Sequence, residues 1–423
     1  MTSGGSRQAN RVKRRRVFYI PGYDPFHPRR YRELYRTESA AQAEISGYEI
    51  EVSGRAGQGR PNSWHVRTLI DGQETIADVD VLVWSDIVRE SMSNSIPATY
   101  WQLVRTAWTY IASGTLRRLM WLRKGPVIAA LYPIGMLLLQ LLLALFAAWL
   151  LATVVNRSVD AVLSLIGLEW FIIADALSTA AGFGLAVWIL RWFKRKDGKF
   201  FAYYLMHDYA YSARWKGANP APLEKRIAAF ADEIAAAFDE ESIDEVLVVG
   251  HSSGAHLAIS ILADLIRQGR IPLKKAALGF LSLGQVVPMV SFLPKAERLR
   301  GDLYFLSQRE ELTWLDVTAP GDGCAFALCD PVAVTGLKPP KKRWPLVISA
   351  AFTQSLSPER WKELRWRFFR LHFQYLCAFD RPKDYDYFQI TAGPMTLADR
   401  FEGRPPSKSR IDVGASKYTS VPE

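Results

Sequence analysis

Gly250-His251-Ser252-Ser253-Gly254 carries the residue types that covalent chemistry needs. The apolar run "VLVV" ends at Gly250, and an amphipathic helical pattern starts just after Ser252. The hydroxyl therefore sits on a sharp strand-to-helix turn. Such a turn demands small flanking residues, because its backbone is strained and closely packed. It also points the N–H after the serine toward a reacting carbonyl, near the positive end of a helix. This makes Ser252 a candidate nucleophile, with Gly250 and Gly254 as turn glycines. Two plainer readings compete with it: a glycine-rich phosphate-binding turn, and a tight turn without chemistry.

The other reactive side chains narrow the choice. His251 and His256 flank the turn and are expected to support it, since no third residue has metal-ligand spacing. His207-Asp208 reads as a surface pair. Cys324, Cys329 and Cys377 are too few and too near the C-terminus for a disulfide framework. Cys324 and Cys329 lack a nearby His or further Cys to complete a zinc site, so ordinary packing is expected of them. Neither a metal nor an organic cofactor is expected.

The elements that must position Ser252 are those of a strand–helix alternation. The sequence predicts strands at "VFYI" (17–20), "YEIEV", "WHVRTLI" and "VDVLVW" (79–84). Helix formers run from Arg29 to Ile45. After residue 200 come a helix at 223–238, the strand "EVLVVG", a helix ending at Gly269, and strands at 278–284, 312–317 and 345–352. "RWKELRWRFFRLHFQYLCAF" has a largely helical pattern. The fold class expected is α/β, with a doubly wound, mostly parallel sheet.

A greasy insertion interrupts that pattern. Residues 126–156 contain no charge, which leaves no face for water on a helix. A first membrane span is predicted at about 126–155 and a second at about 171–191. The second contains Asp175, and a re-entrant or surface-lying helix is its rival reading. Arg117, Arg118, Arg123 and Lys124 precede the first span, and Arg191, Lys194, Arg195, Lys196 and Lys199 follow the second. Only Arg157 contributes positive charge between them, so the hairpin leaves both flanks in the cytoplasm. The chain thus divides into a basic flexible tail (1–16), an N-terminal part of the α/β domain (17–99), the membrane insertion (100–199), a C-terminal α/β part (200–403) and a disordered tail (404–423).

Net charge is +11 over 423 residues, concentrated in part at Arg7, Arg11, Lys13, Arg14, Arg15 and Arg16. Basic arms bind nucleic acid or anionic lipid. No nucleic-acid signature accompanies this one, so a membrane surface is preferred, with a solubilising tail as the alternative. No signal peptide is read at the N-terminus.

"VLVVGHSSGAHLA" resembles the nucleophile elbow of the α/β-hydrolase superfamily, the serine esterases, lipases and thioesterases. That resemblance implies the chain order Ser, acid, His. His372, after the last strand, falls where the family places its base. Asp322, in the loop after "LTWLDV", falls where it places the acid, with Asp316 in the strand and Asp330 as fallback. The oxyanion hole would use the N–H of Ser253 and a second N–H from "YIPGYDPF", where Gly22 allows close approach and Tyr23 or Asp24 donates. Pro21 stands where lipases often show His, which departs from the family pattern.

These readings lead to a membrane-anchored serine hydrolase of a bacterial inner membrane, with its catalytic domain cytoplasmic. It would cleave a carboxylic ester or thioester, such as a lipid, through an acyl-enzyme. An acyltransferase is a variant of the same chemistry. The alternative class is a non-catalytic membrane protein with a hydrolase-like fold that binds a lipid or protein partner.

Overall fold

Strand β5 (Glu245–His251) lies near the middle of one eight-stranded sheet in the computed structural model, which describes residues 11–25, 27–54, 62–92, 95–165, 171–272 and 275–422. The other strands are β1 (Arg14–Ile20), β2 (Glu49–Gly54), β3 (Ser63–Ile70), β4 (Gln73–Val81), β6 (Ala277–Leu283), β7 (Thr313–Thr318) and β8 (Leu346–Ser349). Their spatial order is β2-β3-β4-β1-β5-β6-β7-β8. From β4 through β8 every neighbouring pair is parallel, while β2, β3 and β4 form an antiparallel meander. The protein is thus mixed α/β with a mostly parallel sheet. The meander has a local cause: Asp71 and Gly72 both adopt positive φ, the geometry that closes a two-residue hairpin.

All seven residues of β5 are buried, as a strand covered on both faces requires. On one face Leu247 and Val249 join Val17, Tyr19, Tyr35, Leu281, Val317 and Phe388 in a continuous core. Val246 and Val248 alternate with them and are equally buried, and the helices Ala221–Asp239 and Gly254–Arg267 pack on this strand. Burial of Val or Leu side chains at roughly 1.5–3 kcal/mol each makes this strand a rigid base for the turn that follows it.

Both chain ends differ from expectation. The arm read as flexible and basic is built into the sheet from residue 14 onward. Arg15 is buried, pairs with Glu245 at 2.6 Å and donates to the Gly393 carbonyl at 2.8 Å. Arg16 is paired with Asp80 and Glu240. A buried guanidinium persists only with such partners, and sequence composition does not reveal them. Arg7 lies outside the described residues. The C-terminal segment read as disordered is also fastened: Ser407 N–H donates to Val347 O at 2.9 Å, and Ile411 N–H to Leu328 O at 2.8 Å. Arg300, fully buried, donates to Ser420 O at 2.7 Å.

The chain separates into two units. The sheet unit comprises Met1–Glu90, Tyr110–Val127 and Trp215–Glu423; the helical unit comprises Ser91–Thr109 and Ile128–Arg214. The stretch Tyr110–Val127, read as part of the insertion, therefore belongs with the sheet. Tyr110 OH donates to Met289 O at 3.0 Å, Thr115 Oγ1 to Phe292 O at 2.9 Å, and Arg118 to Ala415 O at 3.0 Å.

Two helices are long and apolar enough to cross a membrane: Lys124–Leu165, which belongs to the helical unit from Ile128 onward, and Ile172–Arg195. Only 17% and 22% of their apolar windows are buried, so their greasy faces point outward, unlike those of a soluble core helix. The first has 42 residues, longer than its predicted span. At 1.5 Å per residue that is about 63 Å, twice a hydrocarbon core of about 30 Å. Gly182 brings the two helices together: a Cβ there would lie 2.8 Å from Ala148 O. Asp175 accepts from Asn156 Nδ2 at 2.8 Å, which satisfies the one acidic group of the second helix. His207 is not a surface residue; it is buried, with Nδ1 2.7 Å from Gln102 Oε1.

Candidate active site

Ser252 has φ +57°, a left-handed conformation that costs a residue with a Cβ of the order of 1–2 kcal/mol. It follows β5 directly and precedes the helix Gly254–Arg267. The surroundings hold it there. Its N–H donates to Leu283 O at 2.9 Å, extending the β5–β6 pairing by one residue. A Cβ at Gly250 would lie 2.7 Å from Ala255 Cα, and one at Gly254 only 2.1 Å from Ile20 O. Neither position accepts a side chain. Ser252 itself is half-buried, whereas His251 and Ser253 on either side are buried.

His372 and Asp322 meet beyond the ends of β6 and β7. His372 Nδ1 lies 2.7 Å from Asp322 Oδ2, and both side chains are buried. Asp322 also accepts from Tyr375 OH at 3.0 Å and from the Cys324 N–H at 2.8 Å. Burial alone would raise its carboxyl, but the facing His372 and these hydrogen bonds hold it below the ordinary carboxylate range. It is an anion that fixes one imidazole nitrogen. Tyr375 OH in turn accepts from Ala319 N–H at 2.9 Å.

Two links bring this pair to the serine. Gly284, in positive φ at the end of β6, follows the Leu283 that holds Ser252, and a Cβ on it would be 3.0 Å from His372 Cε1. His251 Nε2 lies 2.9 Å from His372 O, with the two rings 4.9 Å apart. Burial and the neighbouring His372 push the His251 imidazole down to about 3, so it is neutral. It grips the backbone of His372 beside the turn. Among the described residues Ser252 and His372 share no side-chain hydrogen bond; proton transfer requires Oγ and Nε2 within about 3 Å.

The loop after β1 borders the same hydroxyl. A Cβ on Gly22 would lie 3.0 Å from Ser252 Cβ and 3.4 Å from its Oγ, so Gly22 packs directly on the candidate nucleophile. Trp84 Nε1 donates to Pro21 O at 2.9 Å, fixing the loop. Tyr23, next along, is buried edge-on to Trp84. Ser253 begins the elbow helix, where first-turn N–H groups have no intrahelical acceptor. The Asp24 carboxylate is tied to Tyr31 and, at 2.8 Å, to Arg30, which leaves its N–H the alternative donor to that of Tyr23.

The two alternative acids are engaged in other work. Asp330 caps the short helix Pro331–Val334 through Val332 and Ala333 N–H groups and pairs with Lys342. Asp316 accepts from Ser282 Oγ at 2.6 Å inside the sheet, and burial pushes it up to about 8.

Sequence reasoning missed three contributors. Tyr375 belongs to a stretch read as one helix, which is in fact broken into Pro358–Leu364, Phe368–His372 and a 3₁₀ turn Gln374–Leu376. Gly284 carried a signal, as the glycine closing a predicted strand. Cys324 was set aside for want of a nearby histidine; the fold supplies one, because Cys324 Sγ, an Asp322 oxygen and a His372 nitrogen all lie within 4.8 Å of one another. A cavity lined by Pro320, Gly321, Leu328, Phe352, Lys383 and Arg404 adjoins the acid loop and includes none of the three candidate catalytic residues. Compared with family models, with curated proteins and with solved structures, the chain finds no match.

Proposed function

We propose that this protein is a serine hydrolase of α/β-hydrolase type that acts on a carboxylic ester or thioester. The observation that carries the reading is Ser252, held at φ +57° on a strand-to-helix turn beside a buried His372–Asp322 pair. Ser252 Oγ attacks the acyl carbon while His372 takes its proton and returns it to the leaving group. Asp322 holds the imidazole tautomer and stabilises imidazolium. The N–H groups of Ser253 and Tyr23 receive the oxyanion. Water then releases the acyl group; an alcohol in its place would make the enzyme an acyltransferase.

Anchoring in a bacterial inner membrane, with the sheet unit cytoplasmic, is supported by the two outward-apolar helices and by the basic clusters outside them. Membrane attachment favours a lipid or other acylated apolar substrate. The alternative, a non-catalytic protein that binds a lipid or protein partner, draws on the missing Ser252–His372 hydrogen bond.

A fluorophosphonate probe decides between them. The detergent-solubilised wild type is expected to be labelled, and Ser252→Ala is not. A folded wild type that resists the probe would favour the binding reading.

A further inference from the structure

We infer that Asp322, Cys324 and His372 form an inhibitory zinc site that shuts off the proposed serine chemistry; the inhibition rests on that chemistry, whereas the metal site does not. The three donors are an oxygen, a thiol sulfur and an imidazole nitrogen within 4.8 Å of one another. This mixture suits Zn²⁺, which binds carboxylate, thiolate and imidazole together and accepts three protein ligands with a fourth position open. Mg²⁺ and Ca²⁺, which want oxygen, do not match it.

The geometry is close to what a metal needs. Asp322 and Cys324 are two residues apart in one loop, and the Cys324 N–H already binds Asp322 Oδ1 at 2.8 Å. Loop closure therefore holds two ligands together. His372 comes to them from a separate helix and is 2.7 Å from Asp322. Ligands on a tetrahedral zinc stand about 3.3–3.8 Å apart, so the ion needs this contact to open by well under 1 Å and the wider pairs, within 4.8 Å, to close by up to about 1 Å. Asp322 and His372 are buried and Cys324 is partly exposed, which gives a solvated metal ion one accessible ligand to meet first.

Inhibition follows from imidazole chemistry. A zinc ion on Nδ1 leaves the ring proton on Nε2, so Nε2 has no lone pair to accept the Ser252 proton. A zinc ion on Nε2 takes that lone pair itself. Either way the base is lost. Binding releases the thiol proton, and with Nδ1 as ligand the ring proton moves to Nε2.

The experiment uses the full chain in detergent with buffered Zn²⁺, fluorophosphonate labelling, and Co²⁺ as a spectroscopic stand-in. Zn²⁺ is expected to slow wild-type labelling at least tenfold, with recovery on chelation. Cys324→Ala keeps the main-chain N–H to Asp322 and, measured against its own metal-free rate, should need at least tenfold more Zn²⁺ for the same fractional loss. Co²⁺ should give a thiolate charge-transfer band in the wild type and none in Cys324→Ala. Equal zinc sensitivity in both proteins, or labelling that zinc leaves untouched, overturns the inference. If the metal-free wild type never labels, the hydrolase reading fails by itself. The cobalt band then decides the metal site alone, its presence supporting the site and its absence overturning it.

Discussion

Three buried aspartates near the ends of the central strands have three different fates. Asp322 is held as an anion by His372, Tyr375 and the Cys324 N–H. Asp316 is pushed up to about 8 by burial, offset in part by Ser282 and raised further by Asp330, and is neutral near pH 7. Asp330 is spent on a helix N-terminus and Lys342. An orienting acid must be both charged and in contact with the imidazole; Asp316 lacks the charge, Asp330 lacks the contact, and the proposed role falls to Asp322. Asp322→Asn is therefore expected to lower ester turnover by about 10³–10⁴-fold, as loss of the correct tautomer does elsewhere. Asp316→Asn, replacing a group already uncharged, should keep turnover within a few-fold of wild type. Turnover of a short-chain nitrophenyl ester by the two purified variants checks the pair; equal losses would remove Asp322 from its role.

At the scale of the element, the elbow depends on what its glycines exclude. Alanine is normally better than glycine inside a helix by about 1 kcal/mol. Gly254→Ala reverses that sign here, because the new methyl would stand 2.1 Å from Ile20 O and 2.7 Å from Pro21 O, both fixed main chain. A destabilisation of about 3 kcal/mol is expected, read as a lowered denaturation midpoint; an unchanged midpoint would mean the turn is looser than described. The same helix buries His256, whose Nδ1 finds no partner and whose imidazole burial pushes down to about 4. The unfolded chain, with an ordinary value near 6.5, binds this proton first as pH falls. Stability from His256 is thus whole above pH 6.5 and drains away toward pH 4, by about 3 kcal/mol. His256→Gln should flatten the pH dependence of chemical denaturation in that window, and identical slopes for the two proteins would refute the assignment.

For the whole molecule, the distinguishing feature is two helices long and apolar enough to cross a membrane, which the sheet unit alone would not need. Alkaline carbonate is expected to leave the chain in the membrane pellet. Positive charge outside both helices predicts that both flanks share one side. Ser158 is exposed near the C-terminal end of the first apolar helix, next to Arg157. A membrane-impermeant maleimide should therefore modify Ser158→Cys in intact cells and leave Cys324, Cys329 and Cys377 unmodified. Modification of the native cysteines, with none at position 158, would invert the topology.

Local signals sufficed wherever a property is set by neighbours in the chain. The apolar runs of β5 and β6, the glycine-flanked Ser252 and the uncharged helix could each be read from adjacent residues, because burial period, turn chemistry and helix amphipathicity are short-range. Tertiary structure decided whatever depends on partners far along the chain. It turned Arg15 and Arg16 from a supposed tail into buried ion pairs, tied residues 404–422 to the sheet unit, and put Cys324 beside His372. It also put Asp322, rather than Asp316 or Asp330, against His372. A carboxylate's charge follows from the donors packed around it, and composition and spacing carry no record of those.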